Sequence, residues 1–164
     1  MSSVSYVPQD WLWEKSKFSE YKLGMFYKNS PGDVVAANPG MARAYFERAA
    51  KQNYAPALYE LAMCYKNGFG IRKNPEKCVE FLTKAAEAGH ARSQAELGRC
   101  YFNGFSVEVN WDTAREWYEK AAEQGNIFAM KRCANLYTGC KGVEQTPEKI
   151  LYWQKKWAET GDPE

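Results

Sequence analysis

The sequence predicts an all-α fold, a right-handed α/α superhelix (solenoid) of four consecutive helix–turn–helix units. Three observations predict it: self-similarity at a period of 36 residues, apolar residues at helical spacing inside each period, and the same turn and capping residues recurring at fixed places. Ala55–His90 laid over Ala91–Asn126 gives fifteen identities without a gap, among them Glu60/Glu96, Leu61/Leu97, Cys64/Cys100, Tyr65/Tyr101, Gly68/Gly104, Ala85/Ala121 and Gly89/Gly125. A further step of 36 brings Ile127–Asp162 into register through Tyr137, Trp153, Lys156, Ala158 and Gly161. Backwards, Lys17–Tyr54 joins through Leu23, Gly24, Tyr27, Tyr45, Arg48, Ala49 and Ala50, with two extra residues in its internal loop. The expected organisation is one repeat domain over 1–164, with repeats at 17–54, 55–90, 91–126 and 127–162 and with 1–16 as an N-terminal extension or cap.

Each unit follows one physical plan. Ala57, Leu61, Cys64 and Tyr65 recur on one side of a first helix, which Lys-Asn-Gly-Phe-Gly (66–70) ends, because glycine adopts the left-handed backbone that closes a helix. Asn74-Pro75-Glu76 opens the second helix with a capping Asn, a proline at the first helical position and an acid at the positive end of the dipole. Asn110-Trp111-Asp112 and Thr146-Pro147-Glu148 repeat the device. The second helix turns Cys78, Phe81, Leu82, Ala85 and Ala86 inward and stops at Gly89. Two such short helices cannot bury their apolar faces alone, so neighbouring units stack, with the first helices lining a concave face.

The pattern Ala-x-x-x-x-x-Leu-Gly/Ala-x-x-Tyr-x-x-Gly-x-Gly, followed by Asn or Asp, Lys-Ala-Ala and a terminal Gly, resembles the Sel1-like repeat, a relative of the tetratricopeptide repeat. The first and fourth units depart further from it, the fourth with Cys133 for Leu, Cys140 for Gly and Trp157 for Ala. The resemblance implies an adaptor that binds proteins, often in bacterial signalling or host interaction, with no shared catalytic chemistry. Some bacterial relatives are immunity proteins that neutralise a toxic effector, a role that would suit so short a chain. Alternatives are a nucleic-acid-binding helical repeat and a cysteine-rich Sel1-like protein with enzymatic activity. In that cysteine-rich branch disulfides staple every repeat near the Cys133/Cys140 spacing, whereas here the pair does not recur.

Chemical motifs are sparse. Cys64 and Cys100 share a position with Phe26 and Leu136, and Cys78 shares one with Ala42, Ala114 and Ile150, so all three read as core slots. His90, the single histidine, aligns with Tyr54 and Asn126 in a loop and has no Cys-x-x-Cys or His-x-x-x-His companion. No metal and no cofactor are expected. Neither a Gly-x-Ser-x-Gly elbow nor a phosphate-cradling glycine loop is present, so the chain is not expected to be an enzyme or to take a small-molecule substrate. Twenty-two Lys and Arg against 20 Asp and Glu leave a net charge of +2, which disfavours nucleic acid. No apolar run approaches the roughly 18 residues of a membrane span, no signal peptide is seen, and five cysteines at irregular spacing suit a reducing, cytoplasmic setting.

By analogy with tetratricopeptide repeats, five positions of each first helix face the groove. The partner-binding candidates there are Tyr21, Met25 and Lys28; Tyr59, Met63 and Lys66; Arg92, Arg99, Phe102 and Asn103; and Phe128, Lys131 and Asn135. The twenty groove positions include no Asp or Glu, so aromatics, Met and cations free to meet carboxylates are expected to bind a protein or peptide. At the C-terminal end Trp157 stands where three units have alanine, near Tyr152 and Trp153. These three form either a lid over the last repeat, the favoured reading, or an aromatic interface for homodimerisation or partner docking.

Overall fold

The computed structural model describes residues 16–30, 38–139 and 145–161. The described residues form eight α-helices: α1 (Lys17–Asn29), α2 (Pro39–Lys51), α3 (Ala55–Asn67), α4 (Pro75–Glu87), α5 (Ala91–Asn103), α6 (Trp111–Glu123), α7 (Ile127–Leu136) and α8 (Pro147–Glu159). They contain no strand, and the chain is an all-α helical repeat. Where the sequence suggests one domain over 1–164, packing separates two compact units, one ending at Ala85 and one beginning at Ala86. Contacts in a repeat array are local, which lets pairs of repeats form separate bodies.

The same hydrogen bond closes the internal loop of every repeat. The backbone N–H of the residue before the second helix donates to the carbonyl of the first-helix tyrosine: Asn38 to Tyr27 at 3.1 Å, Asn74 to Tyr65 and Asn110 to Tyr101 at 3.0 Å, and Thr146 to Tyr137 at 3.1 Å. The longer first loop therefore returns to the same closing point. Asn38, Asn74 and Asn110 also cap their helices, accepting from Met41, Lys77 and Thr113 N–H groups. Thr146 opens α8 without a side-chain capping bond. His90 lies at the N-cap of α5, with Nδ1 2.9 Å from the hydroxyl of fully buried Ser93, so this position is a helix start. Asn126 fills the same place at α7 and accepts from Ala129 N–H.

Position in the repeat also sets side-chain size. A Cβ on Gly24 would lie 2.5 Å from the Phe46 ring, and one on Gly98 would lie 2.9 Å from the Tyr118 ring. Phe46 and Tyr118 are almost wholly buried, and glycine in the facing helix makes room for them. The other pair of repeats has Ala62 with Leu82 at these positions, and Ala134 with Gln154. Gln154 is exposed, whereas Phe46, Leu82 and Tyr118 are core residues, so the last helix carries a polar residue where its predecessors bury apolar ones.

The first unit's core includes Leu23, Phe46, Leu58, Leu61, Cys64 and Leu82. The second unit's cluster includes Tyr118, Met130, Cys133, Leu136, Tyr137 and Trp153. Cys64, Cys78 and Cys100 are buried, as their repeat positions suggest. Cys133 is fully buried as well, while Cys140 lies outside the described residues. α7 is the shortest helix at 10 residues. Where the second and third repeats have Gly68 and Gly104 this one has Cys140, and the left-handed glycine comes one residue earlier, at Gly139 with φ 85°. The proposed N-terminal cap, 1–15, also lies outside the described residues.

Candidate functional surface on the first helices

In the first unit, α1 and α3 carry Tyr21, Met25, Lys28, Tyr59, Met63 and Lys66, all half-buried. Tyr21 is anchored, its ring 5.4 Å edge-on from Tyr54 and 6.1 Å from Phe46. Lys28 donates to Glu60 at 2.5 Å, and Glu60 is buried. This corrects the expectation of free cations, because Lys28 already holds a carboxylate of its own chain. Glu60 also raises the pKa of Cys64, to about 11, after the larger effect of burial.

The second unit brings Arg92, Arg99, Phe102 and Asn103 on α5 and Phe128, Lys131 and Asn135 on α7. Arg99 is likewise engaged, donating to Glu96 at 2.5 Å. Arg92, Asn103, Phe128 and Asn135 are exposed, and Phe102 packs partly buried against the unit's core. The Arg132 guanidinium lies 5.1 Å from the centre of the Phe128 ring. Burial raises the Tyr118 hydroxyl to about 12, and the charges acting on it are, in order, Arg132, Arg99 and Glu96.

Glu60, Glu96 and Arg132 all occupy the sixth position of their repeats, which the five-position groove reading omits. The Glu60/Glu96 identity 36 residues apart was the available signal. Position six sits one residue beyond a groove position and reaches the same cations.

At the C-terminal end, Trp153 is 2% exposed and belongs to the core, which removes it from the alternative reading of an exposed aromatic interface. Its ring meets Tyr152 edge-on at 4.9 Å. Trp157 is half-buried against the same core, with Lys131 4.4 Å from its ring centre, and Tyr152 and Leu151 remain exposed. An indole in the position that elsewhere holds alanine thus covers its own repeat.

Two clefts accompany the second helices. One, of about 420 Å³, has Glu47, Lys51 and Lys84 above Leu58, Leu61 and Phe81. The other, of about 430 Å³, has Glu119, Glu123, Glu148 and Lys149 beside Trp153. Among the described residues no group of three His, Cys, Asp or Glu could hold a metal, and no helix is long and apolar enough to cross a membrane.

Comparison with known proteins gives these side chains their context. No curated protein matches the chain in sequence. A Sel1 repeat protein from Oxalobacter formigenes is similar in structure, with a TM-score of 0.82 and 30% identity over 90% of this chain. So is c5321, a protective antigen of uropathogenic Escherichia coli strains, with a TM-score of 0.82 and 33% identity over 89% of this chain. The chain spans 60% of the first of these proteins and 31% of the second. The immunity protein Pa5087 from Pseudomonas aeruginosa shares the fold alone, with a TM-score of 0.53 and 16% identity over 87% of this chain and 68% of its own. Sel1 repeat proteins generally mediate protein–protein interaction. The Sel1 repeat family matches residues 18–54, 55–90 and 91–126, most of the length, and the chain belongs to that family.

Proposed function

We propose that this chain is a non-catalytic interaction adaptor that takes a protein or peptide on the faces of its first helices. One observation carries the reading. Phe18 and Phe128 occupy the same repeat position, are 51% and 39% exposed, and each lies beside a cation, Lys22 at 4.4 Å and Arg132 at 5.1 Å. Large aromatics left in water beside cations are what partner interfaces use as anchors. Met25, Tyr59, Met63 and Phe102 add partly exposed apolar area on the same helices. Cysteines packed as small apolar residues in core positions support a reducing, cytoplasmic setting. The narrower immunity role rests on family analogy, since Pa5087 contributes likeness of fold only.

Capture of partners from native cells, compared between the parent and variants, tests the proposal. Phe128→Ala and Tyr59→Ala are expected to fold normally and lose the partner, each costing about 2 kcal/mol of binding. Leu61→Ala and Leu97→Ala remove core side chains that are 2% and 1% exposed. They are expected to destabilise the fold by about 2–5 kcal/mol, with binding tracking unfolding alone. Unchanged capture by folded Phe128→Ala and Tyr59→Ala would reject the first-helix faces and leave Tyr152 and Trp157 as the surface to test.

A further inference from the structure

Charge is divided between the two kinds of helix in a way the net charge conceals. The first helices, α1, α3, α5 and α7, carry eight Lys and Arg but three Glu. The second helices carry ten of each sign. Two of the three first-helix carboxylates are engaged within the chain, Glu60 by Lys28 and Glu96 by Arg99, and the third, Glu20, is buried 3.8 Å from Arg48. The imbalance is greatest in the second unit, where α5 and α7 hold four cations and Glu96 alone. There the Arg132 guanidinium lies 5.1 Å from the centre of the Phe128 ring, that ring meets Tyr118 edge-on at 6.1 Å, and both Arg92 and Phe128 are exposed.

We propose that the α5–α7 face docks an acidic segment of a partner protein, a run of Asp and Glu whose carboxylates meet Arg92, Arg99 and Arg132 around Phe128. The proposal rests on the reading of the first helices as the binding face and adds the chemistry of the partner. Guanidinium groups suit the task because each can grip a carboxylate with two donors. Glu96 does not oppose it, because a docked carboxylate can share or replace the contact that Arg99 makes with it. Nucleic acid would meet the same cations, so it enters the test as a competitor.

Fluorescence anisotropy with the whole chain decides the matter, using labelled octaglutamate, octalysine and an eight-nucleotide oligothymidylate at low salt. Octaglutamate is expected to bind and octalysine to fail. Arg132→Glu and, separately, Arg92→Glu should each weaken octaglutamate about ten-fold, and added salt should weaken it further. Lys120→Glu, on α6 beside Trp117, makes the same change of net charge on a second helix and should leave binding within about two-fold. Arg92 is exposed, so its variant remains informative should Arg132→Glu fail to fold. Equal losses from Lys120→Glu and Arg92→Glu, or equal binding of octaglutamate and octalysine, would overturn the proposal. Oligothymidylate binding more tightly than octaglutamate, and lost in the same variants, would overturn it in favour of nucleic acid. If Phe128→Ala abolishes capture of the native partner while Arg92→Glu and Arg132→Glu leave it intact, the partner is not acidic although the first-helix reading stands.

Discussion

The two compact units carry the same four side chains 72 residues apart: Arg43, Glu47, Tyr65 and Lys77 in the first, Arg115, Glu119, Tyr137 and Lys149 in the second. A step of 36 from the first set lands on Val79, Thr83, Tyr101 and Thr113, so the Arg, Glu and Lys recur only with a pair of repeats, whereas the tyrosine recurs in every repeat. The two sets are wired differently. In the first unit Arg43 pairs with Glu47 and donates through Nε to the Gly70 carbonyl at 3.1 Å, while Tyr65 stacks on Phe81 at 5.7 Å. In the second, Arg115 reaches the Tyr137 hydroxyl and Asp112, each at 3.5 Å, and that hydroxyl donates to Glu119. The corresponding clefts also differ in sign, with Lys51 in one where Glu123 stands in the other. Conserving residue types across a duplication thus does not conserve their contacts.

Perturbing equivalent positions sharpens the contrast, and the largest effect is expected at the turn after the first helix. Gly70 has φ 69°, and a Cβ there would lie 2.2 Å from the Pro39 carbonyl oxygen. Ser106, at the same repeat position, already adopts φ 55° with a side chain. Gly70→Ser is expected to destabilise by about 3 kcal/mol or more through backbone overlap and the left-handed penalty. Ser106→Gly should stay within about 1 kcal/mol of the parent, since relieved strain offsets added chain entropy. Urea denaturation measures both, and equal costs would refute the claim that only the first unit closes tightly on its turn.

Removing the hydroxyls should have a smaller and unequal effect. Tyr137→Phe breaks the contacts to Glu119 and Arg115 and should cost about 1–3 kcal/mol. Tyr65→Phe keeps its ring stacking on Phe81 and should cost less than about 0.5 kcal/mol. Equal denaturation midpoints would mean that the polar contacts of Tyr137 contribute nothing.

Alkaline titration gives a further contrast between the two units. Burial raises Cys64 to about 11 and, in the second unit, Tyr118 to about 12. Burial likewise lifts the Cys133 thiol far above its ordinary value. Unfolded chains lose these protons at lower pH than the folded protein, so the folded state holds more protons in that window and stability falls as pH rises. The loss should begin near pH 9 and deepen towards about 11 for Cys64, and begin near 10 for Tyr118. Thiolate absorbance should show Cys64 ionising before Cys133, and native protein at pH 8 should resist alkylation at both. Rapid modification of Cys133 without denaturant would contradict its place in the core.

The repeat register revealed most of the helices because identities such as Leu61/Leu97 and Gly68/Gly104 mark faces and ends directly. It also placed Cys64, Cys78 and Cys100 correctly, since a slot that accepts Phe, Cys or Leu tolerates only apolar surroundings. It was less informative about the surface. The pairing of Lys28 with Glu60 joins residues 32 apart on different helices, so no local pattern announces it. The aromatic cluster Tyr152, Trp153 and Trp157 leaves a lid and an exposed interface both open in sequence, and only the structure shows that Trp153 is buried while Tyr152 is exposed.

By itself, then, the sequence determined the all-α repeat, the helix starts at Asn74 and Asn110, and the breaks at Gly68 and Gly104, since capping and left-handed turns depend on residues within a few places of one another. Only the tertiary structure decided which cations of the first helices are engaged, how Glu119 and Tyr137 find each other, and which C-terminal tryptophan is buried. Those outcomes depend on distances between helices and on the volume left by facing residues such as Gly98 and Tyr118, which no single helix encodes.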